Sequence, residues 1–234
     1  MRLNSRRYEA ESLEAVQELF HSRGWTDGLP IVPPTPELVQ ACLDKASLPA
    51  DYLVGVEPVR GRYILAEKLA VNSIMAGCLP HYFSSVVAAL TAMLQEPFLL
   101  HGAIASTSGC AVLMVFNGPI RKELGMAGTF SALGGSGNRA TTAIGRAVRL
   151  TLYNLLDFRP GMADQSTIGH PGKISYCIAE DEENTLWESL AVERGVAKET
   201  SALTVMAAMA PRQVMNEWTT VSEEILDTFI AEMK

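Results

Sequence analysis

The sequence has no CxxC pair, and its four cysteines, Cys42, Cys78, Cys110 and Cys177, are widely spaced. These spacings match no standard zinc pattern. The first nine residues lack the apolar segment of an export signal, so the cysteines read as free thiols in a reducing cytoplasm. No apolar run approaches the roughly 20 residues of a membrane-spanning helix, so no membrane partner is expected. Basic residues are in deficit: 19 Lys and Arg stand against 26 Asp and Glu, a net charge of −7. That disfavours nucleic acid, whose phosphates need basic surface, but not a small anion held by a few local cations. The glycine-rich stretch lacks the Gly-Lys-Ser/Thr of a P-loop, and no GxGxxG stands in a strand–helix frame. Hydride transfer is therefore disfavoured, and no motif names a cofactor.

What is present is ample apolar material, 48% of 234 residues, enough for a real core. Apolar periodicity and turn residues predict helices over residues 5–23, 36–46, 63–76, 81–95, 118–124, 139–157 and 222–233. They predict strands over 52–56, 101–107, 111–117, 174–179 and 202–208, with 101–107 and 111–117 joined as a hairpin. The coarse order is helix, helix, strand, strand, helix, strand, strand, helix. It argues for an α/β or α+β fold, a mixed sheet with flanking helices. Residues 1–50 read as an N-terminal helix with a Pro-rich arm, and residues 51–234 as the α/β core.

The stretch from 133 to 146 organises the functional reading. Its glycines, Gly135 and Gly137 among them, lead into a helix that Asn138 is placed to cap. Free amides and the positive dipole end at such a helix start favour an anion. A tight turn before a packed helix is the alternative. Arg139 and Arg146 follow on that helix, and Lys173 lies in another turn-rich loop beside His170; these are candidate substrate contacts. Asp27 sits with Trp25 on a loop stiffened by Pro30, Pro33, Pro34 and Pro36. It either lines a site or belongs to a loop clamped over the core.

Cys78 lies at a helix break just before Pro80, and His81 follows three residues on. A thiol at a helix N-terminus has a lowered pKa, and a Cys/His pair is the minimum for thiol nucleophilic catalysis. The alternative is a buried, inert cysteine. Joining Cys78 and His81 with His101 or Cys110 as metal ligands is a weaker reading. Glu180, with Glu182 and Glu183, falls at a strand end and is a candidate acid, base or orienter; a solvated surface run is the alternative.

Taken together, the motifs resemble a poorly characterised bacterial family. They are 24–30 with 33–35, 76–78, 117–120, Gly137-Asn138-Arg139-Ala140, 144–147 and His170-Pro171-Gly172-Lys173. That family is often encoded beside small UGSC proteins, in which U is selenocysteine or cysteine. The resemblance covers nearly the whole chain and implies thiol or carbon–sulfur chemistry. Relatives often continue past the position of Lys234, which suggests that a partner subunit supplies a missing part. The expectation is a hydrolase or lyase, or a homo- or hetero-oligomeric subunit of one, acting on a small polar or anionic substrate. A non-catalytic subunit completing a partner's site, or a metal-dependent enzyme, is the alternative.

Overall fold

A computed structural model describes residues 3–133 and 137–233. The first helix, α1 (Leu13–Ser22), starts later than periodicity suggests. Ser12 caps it by accepting from the Ala15 amide. The residues before it are drawn away from helix: the Asn4 and Ser5 amides donate to the Glu67 carboxylate. α2 (Pro36–Ala46) has the expected bounds, with Thr35 as cap, proline in its first turn and left-handed Ser47 at its end.

β1 (Leu53–Glu57) and β2 (Arg62–Leu65) form an antiparallel hairpin. β2 takes the first residues of the helix expected from 63, because β1 needs a partner and the Glu57 carboxylate accepts from the Val59 and Arg60 amides in the turn. α3 (Ala66–Met75) and α4 (Phe83–Met93) follow, the second entered through a 3-10 turn at Pro80–Tyr82.

The strand expected at 101–107 is a correction: that segment forms α5 (Leu100–Ile104). Leu99 in the left-handed region turns the chain there, and Leu100 and Ile104, four residues apart, bury one helical face. The expected hairpin is lost with it. β3 (Ala111–Asn117) leads through the short α6 (Ile120–Glu123) to α7 (Arg139–Asn154), and then to β4 (Cys177–Ala179), parallel to β3. A parallel pair needs such a crossover. α8 (Leu190–Glu193), β5 (Ala202–Ala208) and α9 (Ser222–Met233) complete the described chain, the last two with the expected bounds. β5 pairs antiparallel with β3, giving a mixed sheet ordered β4-β3-β5.

The fold is therefore a mixed α/β one, with helices packed on a small mixed sheet. α3 packs on α7, α7 on β4 and α4 on β5. The core holds Leu69 and Ile74, Phe83 and Leu90, Phe116, Ile144 and Phe158, all shielded from water. Each such side chain contributes about 1.5–3 kcal/mol through lost apolar hydration. Ile31, Val39, Cys42 and Leu43 of the arm belong to the same cluster. Among the described residues no single helix is long and apolar enough to cross a membrane.

Candidate functional site

The β3–α7–β4 unit has two ends. At the carboxyl end of the parallel strands stand the start of α7 and the Glu180 run. At the amino end stand Cys110, Tyr176 and, because β5 runs the other way, Met209; Ala111 pairs with Ala208.

At the carboxyl end Asn138 caps α7 as expected, its Oδ1 accepting from the Thr141 amide at 3.0 Å. Its Nδ2 donates to the Gly125 carbonyl at 2.8 Å, so both polar atoms serve the fold. Gly137 has φ +82, a left-handed shape suited to glycine. Gly135 lies outside the described residues. Arg139 is exposed and its Nε donates to the Gly77 carbonyl at 3.0 Å, which brings it to the segment of Cys78.

The expectation for the Cys78 thiol is reversed by its surroundings. Gly77, at φ +94, ends α3: its amide bonds the Ile74 carbonyl and the Cys78 amide bonds the Ser73 carbonyl. This is a Schellman motif, whose residue after the glycine turns inward onto the helix it ends. Cys78 accordingly sits 4% exposed in the core. Burial pushes its thiol well up, the nearby Cys42 adds to that, and Arg139 opposes it only in part. It also lies past the negative end of the α3 dipole, which disfavours a thiolate. His81 is exposed, its ring edge-on to Tyr82, and among the described residues no hydrogen bond joins it to Cys78.

The carboxylates at this end are held as a clamp. Glu180 Oε2 accepts from Asn117 Nδ2 at 2.6 Å and from the Leu190 amide at 2.9 Å. Glu182 accepts from Asn117, the Gly118 amide and Arg121. The nearly buried Arg121 also reaches Glu183 and the Glu180 carbonyl. Hydrogen bonds from Arg121 and Lys122 hold the Glu183 carboxyl down at about 2. Glu180 is thus placed to tie β3 and β4 to α8.

Asp27 and Arg146 meet, as a two-pronged ion pair of 2.9 and 2.8 Å. Arg146 also donates to the Leu29 and Pro30 carbonyls, so it clips the proline-rich loop to α7. Burial pushes the Asp27 carboxyl up, but the hydrogen bonds and charge of Arg146 outweigh it and leave it below its ordinary value. This is the clamped-loop alternative for Asp27.

The amino end is different. Cys110 is half-buried, and the other three cysteines are buried. Its Sγ lies 3.1 Å from the exposed Ser108 Oγ. It lines a small cavity of about 20 Å³ with Arg149, Gly172, Lys173 and Tyr176, whose other walls are apolar side chains such as Val112, Met114 and Leu152. Lys173 Nζ and Arg149 Nη2 both bond the buried Asp164, at 2.8 and 3.3 Å. Two cations on one carboxylate leave one positive charge over. Burial pushes the Asp164 carboxyl up, but Lys173 and Ser166 together hold it below its ordinary value. His170 accepts from the Gly172 amide at Nδ1, 3.1 Å, and its Nε2 lies 3.3 Å from the Ala208 carbonyl. With Nδ1 accepting, Nε2 is the ring nitrogen placed to donate to the Ala208 carbonyl.

Of the sequence candidates, the fold thus brings Arg139 to the Cys78 segment and Asp27 to Arg146. It places Lys173 at the other end of the sheet, with Cys110. The only local hint for Cys110 is its place in a Ser-Gly turn; its exposure and its neighbours come from distant segments. No family model, no curated protein and no solved structure matches the chain.

Proposed function

We propose that this chain is a thiol-dependent hydrolase or lyase, or a subunit of one, acting on a small anionic molecule, with Cys110 in place of Cys78 as the reacting thiol. One observation carries the reading: the least buried of the four thiols shares its cavity with Lys173 and Arg149, whose charge is only half balanced by Asp164. The sulfur acts as the nucleophile in its thiolate form, and the cations that line its cavity attract an anionic substrate to it. The cavity admits about one water-sized group, so a carboxylate or carbonyl oxygen enters it while the rest of the substrate stays outside. Ser108 Oγ, beside the sulfur and open to solvent, passes the thiol proton to water. The sulfur then attacks an electrophilic carbon, a C–S bond forms, and the leaving group departs with its electron pair. The family resemblance, with its thiol association, agrees with this reading.

The test needs no known substrate. Iodoacetate and iodoacetamide differ in charge and mark the same thiol. The expected result is labelling at Cys110, found by mass spectrometry, with iodoacetate favoured several-fold over its ratio for free cysteine. Lys173→Met and added salt should remove that preference. A panel of small anionic esters and thioesters then reads turnover, which Cys110→Ser abolishes and Cys78→Ala retains. A ratio equal to that of free cysteine, or turnover that survives Cys110→Ser, overturns the proposal.

A second reading, a subunit that completes a partner's site, is favoured by α9. None of its residues is buried, and Leu226, Phe229, Ile230 and Met233 are exposed. Exposed apolar residues in such number are characteristic of assembly surfaces. Light scattering on the purified chain tests it: a monomer that turns over substrate alone excludes an obligate partner.

A further inference from the structure

The Cys110 thiol has a second sulfur beside it. Met209, just after β5, places its Sδ 3.6 Å from Cys110 Sγ and 4.0 Å from Ser108 Oγ. Met209 is 60% exposed, yet its sulfur is turned onto the thiol. Its backbone is anchored on both sides: Tyr176 donates its hydroxyl to the Met209 carbonyl at 3.1 Å, and His170 Nε2 lies against the Ala208 carbonyl. The pair therefore comes from the start of β3 and the end of β5, whose register Ala111–Ala208 sets.

We infer that Cys110 and Met209 form a capture site for a soft monovalent metal ion, copper(I) being the physiological case. Thiolate and thioether are the soft donors that select copper(I), and that ion accepts two or three ligands. The two sulfurs touch at 3.6 Å, the thiol placed to donate to the thioether, so they need part only slightly to take one ion between them. Hard dications are disfavoured because Lys173 and Arg149 line the cavity beside the thiol, and the carboxylate they hold, Asp164, is taken up by them and Ser166. Binding forms a Cu–S bond to each sulfur and releases the thiol proton to water; the oxidation state of the metal does not change. The site stands whether or not the chain is an enzyme, and an ion there would cap the thiol.

The experiment is anaerobic competition for copper(I) against bicinchoninate, followed by alkylation. Wild-type protein should take one equivalent of copper(I) at this site, and Cys110→Ser should lose that equivalent. Met209→Leu, which keeps the volume and removes the donor, should weaken capture by at least about tenfold, since even outer-shell changes cost that much. Copper(I) should also protect Cys110 from iodoacetamide in wild-type protein and not in Met209→Leu at matched metal. Zinc(II) should give no protection. Equal copper(I) affinity in wild-type and Met209→Leu proteins, or no protection of Cys110, overturns the inference. Alkylation without copper protection leaves the thiol proposal standing alone. Copper capture without the iodoacetate preference leaves the metal site standing alone.

Discussion

The two ends of the β3–β4 pair carry similar inventories and use them differently. The carboxyl end has a thiol, two arginines, an asparagine cap and three glutamates, and most of the side-chain hydrogen bonds described there run to other parts of the chain, although Asn117 Oδ1 is buried without a partner among the described residues. Asn138 uses both side-chain atoms, and Arg121 gathers Glu182 and Glu183 around it. The amino end has a thiol that is half open, two sulfurs side by side, and a cation pair balanced by one carboxylate. A polar group already paired within the fold is costly to redirect to a ligand. An unspent charge beside an open thiol is not. On the function proposed above, the first end serves structure and the second chemistry.

The sharpest way to break that comparison is alkylation. Cys110→Ser should abolish rapid labelling at pH 8, whereas Cys78→Ala should leave it unchanged; labelling that follows Cys78 would reverse the assignment. Next in size is the clamp. Arg121→Leu leaves the neighbouring glutamates without their buried cation and should cost about 3 kcal/mol in urea unfolding, with Cys110 labelling kept. A cost below about 1 kcal/mol would show that the clamp is mere surface charge.

Gly145 tests the packing that joins the ends. A methyl there would meet Ser175 Oγ at 2.1 Å and the Tyr176 amide nitrogen at 3.1 Å. Gly145→Ala should therefore destabilise by about 1–3 kcal/mol, the usual range for overpacking. Asn138→Ala should cost about 1 kcal/mol, as a lost cap does, without altering the labelling rate. A much larger effect on labelling than on stability would give Asn138 a role in binding.

The smallest effect is acid sensitivity. Glu183 falls from an ordinary 4.5 to about 2 in the folded protein, and Asp27 and Asp164 are also lowered. Groups with depressed folded values stabilise above their unfolded values, and that stability is lost as pH falls through the folded ones. The urea midpoint should thus be level near neutrality and decline from about 4.5 towards 2. Arg121→Leu should make that decline shallower. An unchanged profile would remove Arg121 as its cause.

How much was readable in the chain depended on the range of the forces involved. α2, β5 and α9 have the bounds read from the residues, because caps, proline at a helix start and alternation act locally. The Asn138 cap was legible for the same reason. The Cys78 environment was not: a Gly-Cys-Leu-Pro segment fits the end of one helix and the start of the next, and only the bonds to Ser73 and Ile74 decide between them. Segment 101–107 was misassigned because five residues hold too little periodicity to separate helix from strand.

The linear order of residues determined the element types with strong local signals, the apolar content of the core, the net acidity and the capped start of α7. Which thiol stays open was decided only in three dimensions. Cys110 meets Met209 from 99 residues away and shares a cavity with Lys173 and Arg149 because β5 and β4 flank β3 in one register. Burial and charge balance are sums over neighbours, and strand pairing, not sequence proximity, chooses those neighbours.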